Sequence, residues 1–407
     1  MTITIRPTTR DEDAALMRPI AVAFGFEVLQ VRIDRLRAIP EMQMRLGAFD
    51  GDALVGSAGS WSFAMTTPGG VAVDAEGLTI VAVLPTHRRR GILRELMRHH
   101  LDEARARGKS IAALYASEGS IYGRFGYGMA SLCGAIELDR DRSAFFGSPG
   151  ASATARFRLV DPDAAAREFP AIWERVRLTT PGMLSRTAGW WTARRLSDPD
   201  WARGGRPPHL RVLCEIDGRP AGYAIYRVGT TVVNDLLLGS LDVVEAIGDS
   251  PAATRAIWRY LCDTDLVRTI RATLLPIDHA LLHLLAEPTR AGMSLHDALW
   301  IRLVDVAAAL SQRGWEASGP PLTIGVSDAF CPWNQGSYRL VEGRAERTTA
   351  APDLSLDVDA LGATYLGGCG FTRLADAGRA VEHTRGALLR ADALFRSARA
   401  PWCPEIF

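Results

Sequence analysis

Residues 78–127 bring together residue types that could do chemistry. His87, Arg88, Arg89 and Arg90 stand in a row and Gly91 follows. Leu78 to Leu84 is short and apolar, reads as a buried strand, and ends at Pro85. From Ile92 the period changes: Ile92, Leu93, Leu96, Met97 and Leu101 fall three to four apart, which is one face of a helix. That helix runs to Arg107, where Gly108 stops it, and Ser110 to Ala116 reads as a second strand. The chemistry implied is capture of an anion with several negative charges. Amides at a helix start lack internal partners, and the helix dipole favours a negative ligand over them. Gly91 permits close backbone approach, and arginines add bidentate charge-assisted bonds. The plainer alternative is a solvated basic turn; the order strand, basic glycine loop, amphipathic helix, strand weighs against it. Neither GxxxxGK[ST] nor GxGxxG occurs in the turn, which excludes those two phosphate motifs.

Other reactive residues carry weaker signals. The six cysteines (133, 214, 262, 331, 369 and 403) are widely spaced without CxxC, as buried thiols would be. His279 and His283 are four apart and could share a helical face, but HExxH and a nearby third ligand are missing, so no metal is expected. With 47 basic and 46 acidic residues, bulk charge gives no reason to expect nucleic acid. No run of 18 apolar residues suggests a membrane span, and Met1 to Met17 has no signal-type core, so a cytoplasmic protein is expected.

The run Val81-Ala82-Val83, followed by Arg88-Arg89-Arg90-Gly91-Ile92-Leu93, resembles the acetyl-CoA motif of the GCN5-related N-acetyltransferases (GNAT), Gln/Arg-x-x-Gly-x-Gly/Ala. Leu93 departs from its commonest form. The run Ser117 to Gly128, SEGSIYGRFGYG, resembles the late motif of the family's Eis-type branch (enhanced intracellular survival). The resemblance implies that Val81, Ala82 and Val83 meet the pantetheine arm of acetyl-CoA. It implies that Arg88, Arg89, Arg90, Gly91, Ile92 and Leu93 hold the pyrophosphate, and that Ser117 and Glu118 add cofactor contacts. Tyr122 would be the general acid, and the amide of Val83 would face the developing oxyanion. The same resemblance makes the α-carboxylate of the last residue, Phe407, the catalytic base, with Glu405 touching the substrate. The tail Ala400 to Phe407, with two prolines and two aromatics, suits docking; a packed tail without chemistry is the alternative. The implied acceptor is a multi-amine such as an aminoglycoside, with polyamines and protein lysines open, and the implied assembly is a homo-hexamer.

These residues need elements to hold them. Thr2 to Arg6 reads as a strand, and Thr9 to Asp13 as an uncapped acidic helix start. Helices to about Phe24 and over Val28 to Ala38 would wall the acceptor cleft. Phe24, Phe26, Glu27 and Trp61 are candidate wall residues, because aromatic faces and a carboxylate suit a cationic amine. Core packing is the alternative for the aromatics, and a solvated end for Glu27. Met42 to Phe49, Ala53 to Met65 and Val71 to Val83 read as antiparallel strands, and Ser131 to Leu138 as the strand closing this first domain. The fold class is α/β (α+β): tandem GNAT folds, each a mixed and mostly antiparallel sheet with flanking helices, then a sterol-carrier-like α+β domain. The divisions expected are 1–150 for the catalytic domain, with 139–155 as linker, and 151–285 for a second GNAT-like fold without cofactor binding. Leu241 to Glu245 stands there near the place of the basic loop, and is acidic. Residues 286–407 form the third part, with Leu299 to Val304 as its first strand and a tail returning to the first domain's site. Two rivals remain at this level: a CoA-binding regulatory protein, and a lipid carrier acting through residues 286–407.

Overall fold

A computed structural model of the chain describes residues 3–39, 42–147, 154–233 and 235–407. Two compact units result: 1–131 with 299–398 and 405–407, and 132–298 with 399–404.

In the first unit one sheet contains β1 (Ile3–Pro7), β2 (Met42–Asp50), β3 (Ala53–Thr66), β4 (Ala72–Val83), β5 (Ile111–Tyr115), the segment Leu299–Leu303 and β6 (Gly128–Met129), in that spatial order. Its pairings are antiparallel except β4 with β5, which run parallel on either side of helix α3 below. Helices α1 (Asp13–Phe24), α2 (Gln30–Arg37) and α3 (Ile92–Ala106) flank the sheet. The apolar face of α3 buries Leu96, Met97, Leu101 and Ala104 in a cluster with Met44, Leu46, Ala58 and Leu114. Full burial of each leucine contributes ~1.5–3 kcal/mol. Gly108 adopts φ +73°, and the Lys109 amide bonds the Ala104 carbonyl at 2.9 Å, so the helix ends on a left-handed glycine as its sequence suggests.

Three details differ from expectation. The start of the first helix is not uncapped: the Glu12 carboxylate accepts from the Thr9 amide at 2.9 Å and from Arg6 at 2.7 Å, a local closure of a short 3-10 turn. The second helix is shorter than Val28 to Ala38, because Leu29 is extended and the helix begins at Gln30. The strand expected to close the first sheet, observed as β7 (Leu132–Asp139), pairs elsewhere; Leu299–Leu303 takes the place beside β5. Ala130 and Ser131 turn both amides to the Leu299 carbonyl, and Gly128 lies so close to the Asp359 carbonyl that any β-carbon would collide with it. Such long-range pairing has no local sequence signature.

The second unit's sheet comprises β7, β8 (Ala155–Leu159), β9 (Leu210–Ile216), β10 (Arg219–Val233), β11 (Leu236–Gly248), β12 (Val267–Leu275) and β13 (Ser294–Asp297). Their spatial order is β13-β7-β12-β11-β10-β9-β8. Here too one parallel pair, β11 with β12, is joined through a helix, Pro251–Cys262. Ile257, Trp258 and Leu261 pack on one face of the sheet; Phe169 and Trp173 of helix Pro162–Arg177 pack on the other, with Tyr223 and Trp402. Leu241 to Glu245 lies inside β11, so the junction that corresponds to the basic loop is Asp249-Ser250-Pro251. It is acidic as well. Part of the expected linker, 148–153, lies outside the described residues.

The remaining strands are β14 (Leu299–Leu303, above), β15 (Leu322–Ser327), β16 (Gly336–Val341), β17 (Arg344–Thr348), β18 (Leu354–Asp357) and β19 (Ala380–Glu382). β15 to β19 form a five-stranded sheet of order β17-β16-β15-β18-β19, with helices Val306–Gln312, Val358–Thr364 and Ala387–Phe395 around it. This layer belongs to the first unit, and Arg302 of β14 ties it to the first sheet through Asp328 at 2.5 Å, both side chains being buried.

Candidate active site

Strands β4 and β5 are paired only over Ala75–Gly77 and Ile111–Ala113. Beyond Gly77 they part, and β5 takes Leu299–Leu303 as its partner on the other side. A bulge drives β4 further out of line. The register with β3 shifts between Ser57 and Gly59, Ile80 takes φ +47°, and the Ser57 hydroxyl donates to the Ile80 carbonyl at 2.8 Å. The β5-facing edge of Val81–Val83 is therefore without a strand partner, and opens on a cleft of about 970 Å³.

Val81, Ala82 and Val83 form one wall of this cleft. The turn His87, Arg88, Arg89, Gly91 and the helix start Ile92, Leu93 form its end, and Ser117, Glu118 and Tyr122 lie opposite. Gly91 is the N-cap of α3 in left-handed conformation (φ +80°), and no side chain caps this helix start. By contrast Ser250 caps the corresponding helix of the second unit, where Pro251 removes one further donor. Arg88 and Arg89 are exposed and without ion-pair or hydrogen-bond partner among the described residues. Uncapped amides, free guanidinium groups and open space around Gly91 fit the diphosphate of a nucleotide cosubstrate.

Arg90 does not join them. It pairs with Asp50 at 3.0 Å and is absent from the cleft lining. Asp50 ends β2, on the far side of the turn, and no spacing rule in the basic run could reveal which arginine it would take. His87 also reaches Asp50, at 3.3 Å.

Tyr122 is buried at the cleft wall, edge-on to Tyr127 with ring centroids 6.1 Å apart. Burial, with a smaller contribution from the Glu118 carboxylate, pushes its phenol up to about 12. It thus stays protonated at any physiological pH. Behind it, the Tyr127 hydroxyl meets His100 Nε2 at 3.1 Å; burial holds this imidazole down to about 3, and therefore neutral.

Phe407 packs on Phe63, centroids 5.1 Å apart, over Gly77. Gly77 is also the last β4 residue paired with β5. The chain terminus therefore rests where the strands part. Trp61 lies opposite Gly77 in the β3–β4 register and is fully buried, which makes it part of the floor and not an exposed wall. Phe24 is exposed and lines the cleft with Ala23. Phe26 is covered by the Arg32 guanidinium at 4.6 Å, and Glu27 is exposed; neither lines the cleft. Glu405 is buried. The sequence reading missed Arg94, Ile121, Arg124, Phe125, Ala329 and Phe330 in the cleft wall. Arg124 and Phe125 stood within the SEGSIYGRFGYG run; Phe330 had no signal, since it is brought in from a distant segment.

Among the described residues no group of three His, Cys, Asp or Glu is placed to hold a metal. His279 is buried, and its two ring nitrogens face Trp258 Nε1 at 3.2 Å and the Leu281 amide at 3.0 Å. All six cysteines are free.

A splayed parallel pair beside an uncapped helix start suits an anionic cosubstrate, and the class of protein follows from its similarity to known ones. An acetyltransferase (GNAT) domain family matches residues 4–130, another acetyltransferase (GNAT) domain family matches 182–303, and the sterol carrier protein domain family matches 306–404. An uncharacterized N-acetyltransferase of Streptomyces avermitilis is 40% identical over 385 residues, 91% of each chain. The N-acetyltransferase Eis of Mycobacterium tuberculosis is 37% identical over 365 residues, covering 87% of this chain and 86% of that one. The crystal structure of Eis1 from Mycobacterium abscessus superposes with a TM-score of 0.86 at 34% identity, over 99% of this chain and 100% of that one. The chain belongs to the Eis-like branch of the GCN5-related N-acetyltransferases, with tandem GNAT-like folds followed by a sterol-carrier-like domain. It is an acetyl-CoA-dependent acetyltransferase. Among the described residues no helix is long and apolar enough to cross a membrane.

Proposed function

We propose that this enzyme acetylates primary amines of multi-amine acceptors such as aminoglycosides, with the α-carboxylate of Phe407 as base and Tyr122 as acid. The observation that supports the reading is the seat of Phe407 at Gly77, where β4 leaves β5, on the strand whose continuation Val81–Val83 lines the cleft together with Tyr122. An alkyl ammonium ion has a pKa of about 10 and must lose a proton before it attacks. A carboxylate fixed by a buried ring can take that proton directly or through one water. The amine nitrogen then bonds the acetyl carbon, the carbon–sulfur bond breaks, the Tyr122 phenol protonates the leaving sulfur, and the surplus proton on the nitrogen returns to the Tyr122 phenolate, leaving a neutral amide. The Val83 amide, on the strand edge freed by the splay, is the donor assigned to the developing oxyanion. Val81 and Val83 hold the pantetheine arm, and Arg88, Arg89 and the amides of Gly91 to Leu93 hold the diphosphate. Ser117 and Glu118 complete the cofactor wall in this assignment, Phe24 faces the acceptor at the cleft, and Glu405 is assigned to the buried surroundings of the base two residues on.

The test is thiol release from acetyl-CoA by the full-length protein, with and without a multi-amine aminoglycoside. Amine-dependent release that disappears on deletion of Phe407, with acetyl-CoA affinity retained, supports the assignment. Equal loss of affinity makes the tail structural and ends the base assignment. Polyamines and lysine peptides in parallel assays decide the acceptor class. A cytoplasmic hexamer is part of the same reading, checked by cell fractionation and by light scattering.

A further inference from the structure

The second unit repeats the parting of strands that makes the cleft of the first. Its parallel pair, β11 with β12, holds together only from Gly239 and Val267 to Val243 and Ala272. Beyond Val243, β11 keeps its partner β10 as far as Gly248, and β12 keeps β7 as far as Leu275. The register of β12 with β7 shifts there, and Leu274 takes φ +56°, much as Ile80 takes +47° beside the first opening. The ends of β11 and β12 are thus left unpaired with each other.

In the first unit such an opening is a cleft. In the second it is entered by the chain's own end, since Arg399–Pro404 belongs to this unit. The Trp402 indole N–H donates to the Leu274 carbonyl of β12 at 2.6 Å, and the ring packs in one cluster with Val244 and Ile247 of β11. The Trp402 amide donates to the Pro181 carbonyl at 2.8 Å, and the Ala400 amide to Asp278, just past β12, at 2.8 Å. Two residues further on, Arg195 donates to the Pro404 carbonyl at 3.1 Å. Arg195 ends a π-helical turn, Trp191–Arg195, a rare geometry that is frequent at functional sites. Its Nε lies 3.5 Å from Glu245 of β11, which also accepts from Arg186 at 3.0 Å and from Tyr223 at 2.7 Å; Glu245, Arg186 and Tyr223 are all buried. The backbone is therefore held at 400, 402 and 404, and the prolines at 401 and 404 fix φ between and after these points. Three residues separate Pro404 from the terminus, a reach of at most ~11 Å.

We propose that the second GNAT-like fold is the holder of the reacting tail: its strand opening, a cleft in the first unit, takes Trp402, and Trp402 and Arg195 are positioning residues for the carboxylate of Phe407. The inference rests on the base assignment made above. It gives the fold that lacks a cofactor a part in the reaction.

Kinetics and calorimetry on the full-length protein test it. Arg195→Gln removes the cation, and Trp402→Phe removes the indole donor while keeping a ring. Each is expected to lower kcat at least about tenfold with the Kd for acetyl-CoA within about twofold of the parent, since a reacting group displaced by ~1 Å can lose ~10²-fold in rate. Arg195→Lys, which keeps a charged donor, is expected to recover most of the rate. In protein lacking Phe407 the residual rate is expected to be the same with and without Arg195→Gln, because Arg195 acts through the tail. Carboxypeptidase digestion follows the tail without catalysis: release of Phe407 is expected to be at least about tenfold faster in both variants than in the parent. Unchanged kcat in both variants would overturn the proposal, as would digestion no faster than the parent's. So would an equal fractional loss of rate in the protein lacking Phe407, which marks a structural role. If deletion of Phe407 leaves kcat intact, the base assignment fails and takes the positioning claim with it. An inactive Phe407 deletion beside fully active Arg195→Gln and Trp402→Phe variants defeats this inference alone.

Discussion

Gly77→Ala is a selective way to disturb the proposed base. A β-carbon on Gly77 would lie 2.5 Å from the Phe63 ring and 3.0 Å from the Phe407 ring. Ordinary carbon contacts are about 3.5–4.0 Å, so Phe63 must retreat by about 1 Å and push on Phe407, its stacking partner at 5.1 Å. Overpacking of this kind costs about 1–3 kcal/mol of stability. Its kinetic effect is larger, because a displacement of about 1 Å in a reacting group can cost ~10²-fold in rate. The diphosphate turn at Arg88 to Leu93 and the cleft wall at Val81 to Val83 do not touch Gly77's α-carbon face, so acetyl-CoA affinity should stay within about twofold of the parent. We therefore expect kcat to fall ~10²-fold with the Kd for acetyl-CoA unchanged. Stopped thiol-release kinetics and calorimetry read the two quantities separately. Combining Gly77→Ala with Phe407→Leu, which gives the new methyl room, should recover part of the rate, and the double-mutant cycle should show coupling. An unchanged kcat in Gly77→Ala would refute the claim that the seat of Phe407 matters for chemistry. Strict additivity of the two changes would refute the packing argument.

Further expectations follow from the buried groups. Tyr122→Phe should lower kcat by 10²- to 10⁴-fold at constant acetyl-CoA affinity. Since the Tyr122 phenol is pushed up to about 12, the acid is lost only as pH rises through that value, and the parent's pH–rate profile should show no alkaline fall below about pH 10. His100 and His279 are held down to about 3 and 4 by burial. The unfolded chain protonates them below about 6.5 while the fold does not, so stability should fall as pH drops from about 6.5, by about 2 kcal/mol for each histidine at pH 5. Thermal melts between pH 7 and pH 5 check this, and a flat Tm would contradict it. Asp328→Ala leaves the Arg302 cation buried and should cost about 3–5 kcal/mol in urea denaturation, most of it recovered in an Arg302→Met/Asp328→Leu pair. A loss under about 1 kcal/mol would show that the Arg302–Asp328 pair does not tie the sterol-carrier-like layer to the first sheet.

The local parts of this protein were written in the sequence. The apolar period of α3, its left-handed glycine stop at Gly108 and the strands on either side depend on neighbours within a few residues, and they stand where the pattern puts them. The basic turn was legible for the same reason, residue types at fixed short spacing, whereas Tyr122 stood out only through the family resemblance of the SEGSIYGRFGYG run. Tertiary structure decided what spacing could not. It turned Arg90 away to Asp50, 40 residues earlier, and left Arg88 and Arg89 without an ion-pair partner among the described residues. It sent Leu132–Asp139 to another sheet and put Leu299–Leu303 beside β5, because strand partners are chosen by packing over the whole chain. It brought Phe330 to a cleft built around residue 91, and seated Phe407 on Gly77, a glycine that in sequence is one unremarked residue in a strand. Short-range order is fixed by backbone sterics and side-chain period; which distant groups meet is fixed only when the core closes.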